Sequence, residues 1–210
     1  MRSLPNGNFV YADRDTGSLR QVTPQGEITV LMSNLNYPNG VEVSADGQFA
    51  FVTENANPGE LYQINLDTLD TTRLFRGIRG ANGIAISADE QKMYVGTCIG
   101  TGIVVLDRIS DDEWSEPRVV HDDPNGCYDA INIDACGNVY FYGFGGLIRM
   151  SADETTFEKV ANMNGWIPNA RWGSGVGGWD ANTMYLNNRI DQSIYVVDLG
   201  VPGKPHVHAP

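Results

Sequence analysis

The chain has 210 residues, with 14 Lys and Arg against 26 Asp and Glu and a formal net charge of −12. That balance argues against a nucleic acid or an anionic membrane as partner, since both attract basic surfaces. The length suffices for one domain with a substantial core, and 24 Gly and 10 Pro among many short apolar runs point to an all-β chain rich in turns.

The three cysteines, Cys98, Cys127 and Cys136, are odd in number and sparse, without a CxxC spacing. They read as free thiols, with one disulfide as the alternative, and neither as a disulfide framework nor as a zinc motif. No apolar run approaches transmembrane length. The opening "MRSLPNGNFVYAD" is not a signal peptide, so the expected location is the cytoplasm.

In chain order, "NFVYAD", "GSLRQVT" and "GEITVLM" give strands of a first unit without an inner strand before them, as if the chain entered in mid-fold. The next unit begins "PNGVEVSADGQFAFV" at Pro38, the third "ANGIAISADEQKMYV" at Ala81 and the fourth "CYDAINIDACGNVYFYG" at Cys127. Their leading polar residues, Asn39, Asn82 and Asp129, are spaced by 43 and 47 positions. Each precedes an apolar alternation (Val41-Val43, Ile84-Ile86, Ile131-Ile133), a turn, a second apolar strand and a third. A more polar fourth strand closes each unit: Thr71 to Phe75, Pro117 to Val120, Phe157 to Val160. "NTMYLNN" and "QSIYVVDLG" belong to a fifth unit. Four strands per repeat of this length describe a β-propeller of about five blades, in one domain spanning residues 1–210. A β-sandwich is the alternative, and the regular repeat disfavours it.

In a propeller the inner strands all start near one mouth of the central channel, so Asn39, Asn82 and Asp129 are expected to meet there. One carboxylate among neutral amide oxygens is a hard-oxygen set, suited to calcium, magnesium or manganese better than zinc. The plainer reading is that Asn and Asp are ordinary turn formers that exchange freely. Glu54, after a second strand, is within reach of the mouth and is a candidate substrate contact. Asn169, Arg171 and Trp172 lead into the last unit. Arg171 is a candidate for a substrate carboxylate or hydroxyl, against the alternative that it pairs with a surface acid while Trp172 packs between blades. Asp46, Asp89 and Asp134 are read as turn residues on the far side. His121 is read as a solvated loop histidine, and His206 and His208 as tail residues without a role. Gly173-Ser174-Gly175 is not a nucleophile elbow, so a serine triad is not supported.

The segments "NGIAISADEQKMYV", "YDAINIDACGNVYF" with "GGLIRMSAD", and "NARWGSGVGGWDANTMYLNN" with "SIYVVDLGVPGKP" resemble the family of regucalcin (senescence marker protein), gluconolactonase and luciferin-regenerating enzyme, in the family's order and over nearly the whole chain. The resemblance implies a six-bladed propeller with a divalent cation in its channel, held by a first-blade Glu, an Asn and an Asp. Asn82 matches the Asn. Asp129 matches the Asp, which also serves as general base. Asn39 matches, more loosely, an Asn that contacts substrate or a metal-bound water. Two departures stand out: Asp129 is followed by Ala130 where the family has Gly, and the first-blade Glu has no counterpart. The chain therefore reads as an N-terminally truncated or smaller propeller, with an exposed blade edge open to homo-oligomerisation.

The expected function is metal-dependent hydrolysis of small lactones or esters, with Ca2+ foremost and Mg2+, Mn2+ or Zn2+ as alternatives. The competing expectations are a non-catalytic ligand-binding propeller with a degenerate site, and a propeller enzyme similar to strictosidine synthase that does not use this metal set.

Overall fold

Each of the five alternating segments forms an antiparallel sheet in the computed structural model, which describes residues 1–100, 102–111, 113–143 and 145–205. The first sheet holds β1 (Arg2–Ser3), β2 (Phe9–Asp13), β3 (Ser18–Val22) and β4 (Ile28–Met32). The second holds β5 (Pro38–Val43), β6 (Phe49–Glu54), β7 (Glu60–Asn65) and β8 (Thr71–Arg76). The third holds β9 (Ala81–Ile86), β10 (Lys92–Thr97), β11 (Gly102–Asp107) and β12 (Arg118–Asp122). The fourth holds β13 (Ile131–Ile133), β14 (Val139–Gly143), β15 (Gly146–Met150) and β16 (Phe157–Asn162). The fifth holds β17 (Asn169–Trp172), β18 (Thr183–Asn188) and β19 (Ser193–Asp198). Strands pair in chain order within every sheet, so each is an up-and-down blade. No helix long and apolar enough to cross a membrane occurs among the described residues.

Burial follows position in the blade. The inner strands β9 and β13 are buried throughout, whereas the outer strands β8, β12 and β16 are mostly exposed. Apolar clusters fill the spaces between consecutive blades. Val10, Leu19 and Val52 join the first and second, Leu61, Ile84 and Val95 the second and third, Tyr94, Ile131 and Phe141 the third and fourth, and Tyr140, Met184 and Leu186 the fourth and fifth.

The turns behind the inner strands behave as the sequence predicts. The Asp46 carboxylate accepts from Ser44 Oγ (2.6 Å) and from the Gln48 amide (2.9 Å), and Asp89 and Asp134 make equivalent bonds. Gly47 and Gly137 close two of these turns at φ 74° and 86°, left-handed values that glycine adopts without a Cβ penalty.

Two features of the chain ends differ from the expectation. The first unit does have an inner strand: β1, only two residues long, pairs Arg2 with Val10 and Ser3 with Phe9. Two residues carry no visible alternation, so this strand was not legible as one. The segment after β19 crosses to the fourth blade, where the Ala135 amide donates to Pro202 O (2.9 Å) and the Lys204 amide to Ile133 O (2.8 Å). Between the first and fifth blades lies a cavity of about 520 Å³, lined by Arg2 and Ser3 on one side, Arg171 to Ser174 on the other, and Glu42 and Lys204.

Candidate functional site

The starts of three inner strands meet backbone to backbone. A Cβ on Gly40 would lie 2.1 Å from Asn82 O, and one on Gly83 would lie 2.0 Å from Asp129 O. Only glycine permits that approach. Thr53 locks the first contact, its hydroxyl accepting from the Gly40 amide (2.9 Å) and donating to Asn82 O (2.7 Å). The strand starts that carry Asn39, Asn82 and Asp129 are therefore backbone neighbours.

Asn82 and Asp129 are brought into direct contact. Asn82 is 2 % exposed, and its Nδ2 donates to Asp129 Oδ1 and to Cys98 Sγ (2.8 Å). Its Oδ1 is buried with no hydrogen-bond partner. An orphaned buried acceptor costs about 1–3 kcal/mol, so it marks a place where a cation or donor would be welcome. The other Asp129 oxygen, Oδ2, accepts from Trp166 Nε1 at 2.5 Å. Arg189 stacks 4.6 Å over the Trp166 ring, and its charge favours the ionised Asp129. Burial nevertheless dominates and holds the Asp129 carboxyl above the usual range, against the pull of Trp166, Asn82 and Arg189. Asn39 is exposed and, among the described residues, is not hydrogen-bonded to either member of the pair.

The cysteines depart from the free-thiol reading. Cys98, just beyond β10, and Cys127, two residues before Asp129, form a disulfide, while Cys136 is free and exposed. Both half-cystines lie at the mouth. Ligand atoms of Cys98, Cys127 and Asp129 all fall within 4.8 Å of one another. Trp166, Arg189 and this cysteine pair are the site residues that sequence reasoning missed. The available signal was positional: Cys98 and Arg189 follow the mouth-side ends of second strands, and Cys127 precedes an inner strand.

The remaining candidates lie elsewhere. The Glu54 carboxylate is 4 % exposed and accepts the Asn36 amide at 2.6 Å, and its burial raises its pKa. Arg171 sits deeper in the channel. Its Nη1 donates to the buried Asn132 Oδ1 (2.5 Å), so it does not pair with a surface acid, and its Nη2 is buried without a partner. At the same depth Glu42 meets Arg2 (2.9 Å) and Lys204 (3.8 Å). Burial opposes its charge, but the two cations and their hydrogen bonds outweigh it and bring its pKa down to about 2.

Trp172 does pack between blades, edge-on to Tyr140 with ring centres 5.3 Å apart. Asn169, at the start of β17, is exposed, and its Oδ1 accepts the Ala170 amide (2.9 Å). His121 is not a solvated loop residue. It lies in β12, half-buried, 3.0 Å from the Tyr128 hydroxyl and packed near Phe141 and Phe157, and burial lowers its pKa. His206 and His208 lie outside the described residues.

Comparison with known proteins gives a match to the SMP-30/Gluconolactonase/LRE-like region over residues 52–188. Among solved structures, a protein assigned as a gluconolactonase superposes with a TM-score of 0.79 at 16% identity, covering 97% of this chain and 74% of its own. The nidogen/laminin complex follows with a TM-score of 0.75 at 14% identity, covering 93% and 75%. At such identities these likenesses show the propeller fold alone. A curated relative, the adipocyte plasma membrane-associated protein of Salmo salar, is 25% identical over 119 residues, which is 45% of this chain and 29% of that protein. The chain thus matches less than a third of that relative's length.

Proposed function

The chain belongs to the SMP-30/gluconolactonase/LRE-like family, and from that premise we propose that it is a cation-dependent hydrolase of small lactones whose site is the channel mouth at Asp129. The observation that carries this reading is the pairing of the Asp129 carboxylate with a buried Asn82 whose carboxamide oxygen has no partner. Those groups fit a hard divalent cation. A carboxylate oxygen and an amide oxygen are the donors that calcium takes, and a half-turn of the Asn82 amide exchanges its nitrogen and oxygen. Asn82 and Asp129 would hold the ion. Calcium is the ion we expect, with magnesium, manganese and zinc as alternatives. When bound, the cation supplies Lewis acidity toward a lactone carbonyl.

The residues of the chain do the rest. Trp166 holds Asp129 Oδ2 in a fixed direction, so the carboxylate is oriented before any substrate arrives. Burial makes Asp129 a stronger base than an exposed aspartate, which suits it to take a proton from the attacking water. The half-exposed Trp166 and Arg189 give the mouth an apolar wall with a cationic edge. The exposed Asn39 would be the contact for a substrate ring hydroxyl. Arg171, with a free Nη2 in the channel, suits a carboxylate or hydroxyl reaching inward. Glu54, buried and holding the Asn36 amide, would act on a substrate only indirectly, by positioning that loop.

The test is a metal analysis of the purified chain followed by a panel of sugar lactones, with and without a chelator. Hydrolysis that is lost on chelation and restored by calcium supports the proposal. Hydrolysis untouched by chelation favours a metal-free propeller enzyme, and ligand binding without turnover favours a binding module.

A further inference from the structure

We propose that Cys98 and Cys127, once the bond between them is reduced, join Asp129 and Asn82 as ligands of a thiophilic divalent cation of the zinc class. The mouth would then be two metal sites exchanged by the redox state of one disulfide. The oxidised mouth offers only hard oxygens. The reduced mouth offers two thiolates, one carboxylate and one amide oxygen, a soft-to-borderline set that zinc prefers and calcium does not.

The geometry is close to what such a site needs. One ligand atom from each of Cys98, Cys127 and Asp129 lies within 4.8 Å of the other two. The Asn82 carboxamide nitrogen stands 2.8 Å from Cys98 Sγ and 3.9 Å from Cys127 Sγ. Around a tetrahedral zinc, with bonds of about 2.0 to 2.3 Å, ligand atoms stand about 3.3–3.8 Å apart. The two sulfurs must separate and the Asn82 amide must draw back from Asp129 Oδ1 and Cys98 Sγ, and Cys127, exposed on the segment before β13, has room to turn. A second observation bears on the same amide. Asn82 is 2 % exposed and its Oδ1 has no partner, and a half-turn of the amide brings that oxygen to the place where Nδ2 now faces Cys98 and Asp129. Trp166 already bonds the outer Asp129 oxygen, as an outer partner does for a ligating carboxylate.

The exchange balances. A phosphine or thiol reductant gives two electrons to the disulfide. The phosphine leaves as its oxide with water supplying the oxygen, whereas two thiols leave as their own disulfide. Two Cys–SH groups result, and binding of one divalent cation by both releases two protons. This inference needs no lactone hydrolysis. It is read from metal binding alone, so it and the lactonase proposal fail separately.

The experiment uses the full chain, reduced with a phosphine under anaerobic conditions and desalted, with Co2+ as probe. We expect one equivalent bound with an intense thiolate-to-cobalt charge-transfer band, displaced by one equivalent of Zn2+, and no such band in the oxidised chain. Cys98→Ser and Cys127→Ser should each abolish the two-thiolate spectrum. Cys136→Ser should keep it, and Asp129→Asn should weaken binding at least tenfold. Cobalt bound without a thiolate band, or a band that survives in Cys98→Ser or Cys127→Ser, overturns the proposal. Circular dichroism of the reduced chain and of the Cys98→Ala/Cys127→Ala double variant supplies the folding check. If the reduced chain unfolds while the oxidised one stands, the bond is a staple only and the proposal is wrong.

Discussion

Asn82 and Glu42 are both buried polar residues of inner strands, and they make opposite predictions. Asn82 has an unused acceptor beside a carboxylate, so Asn82→Ala should weaken calcium binding about tenfold with little loss of stability, as titration calorimetry and urea unfolding would show. Glu42 is fully used, held by Arg2 and Lys204 at a pKa of about 2 against an ordinary 4.5. A depressed carboxyl contributes stability that is present in full above the unfolded-state value and is lost as pH falls through the folded-state one. The unfolding free energy measured by urea titration should therefore drop between about pH 4.5 and pH 2, by an amount on the order of 3 kcal/mol from this group. Glu42→Gln should flatten that part of the profile, and an unchanged profile would count against the buried cluster. Of these two residues the sequence singled out only Asn82, because it leads a repeat. Glu42 sits mid-strand in "NGVEVS", and its partners Arg2 and Lys204 come from opposite ends of the chain, which no local pattern connects.

At the scale of the strand, the site depends on how closely inner strands approach. Gly83→Ala would drive a Cβ to 2.0 Å from Asp129 O. We expect a loss of about 1–3 kcal/mol from the forced shift, with calcium binding impaired more than in a surface variant of equal stability. The disulfide acts between strands as well. It closes a separation of 29 residues between the third and fourth blades, for which chain entropy predicts about 3–4 kcal/mol of stabilisation in the oxidised chain. Thermal unfolding with and without reductant measures it. The strands of five or six residues were legible because alternation needs that length to be seen. β1, with two residues, fell below it, whereas β13, with only three, was legible because it repeats the inner-strand position of its neighbours. The cysteine pairing was hidden for another reason: Cys98 and Cys127 meet only because two blades place their mouth-side ends together, a fact of the fold and not of spacing.

At the scale of the molecule, four apolar interfaces join five blades in sequence, and a cavity lies between the first and the fifth. The last strand, β19, shows water two large apolar side chains, Ile194 at 59 % and Val196 at 62 % exposed. We expect this edge to pair with a second copy. Light scattering should then give twice the 23.0 kDa chain mass, and Val196→Lys should restore the monomer without lowering the melting temperature. The propeller was legible from its repeat, and so was the meeting of Asn82 with Asp129, because a repeat converts sequence position into channel position. Trp166 escaped because it reaches Asp129 from the loop between blades, outside any repeated motif, and Arg189, although it follows a second strand, acts on Asp129 only through its charge and its stacking on Trp166. The central claim is that Asp129 is at once cation ligand and base, and it is tested most directly by Asp129→Asn, measured for calcium binding and lactone hydrolysis together. The account predicts a folded variant in which both are abolished. Hydrolysis that survives both Asp129→Asn and exhaustive chelation would contradict it.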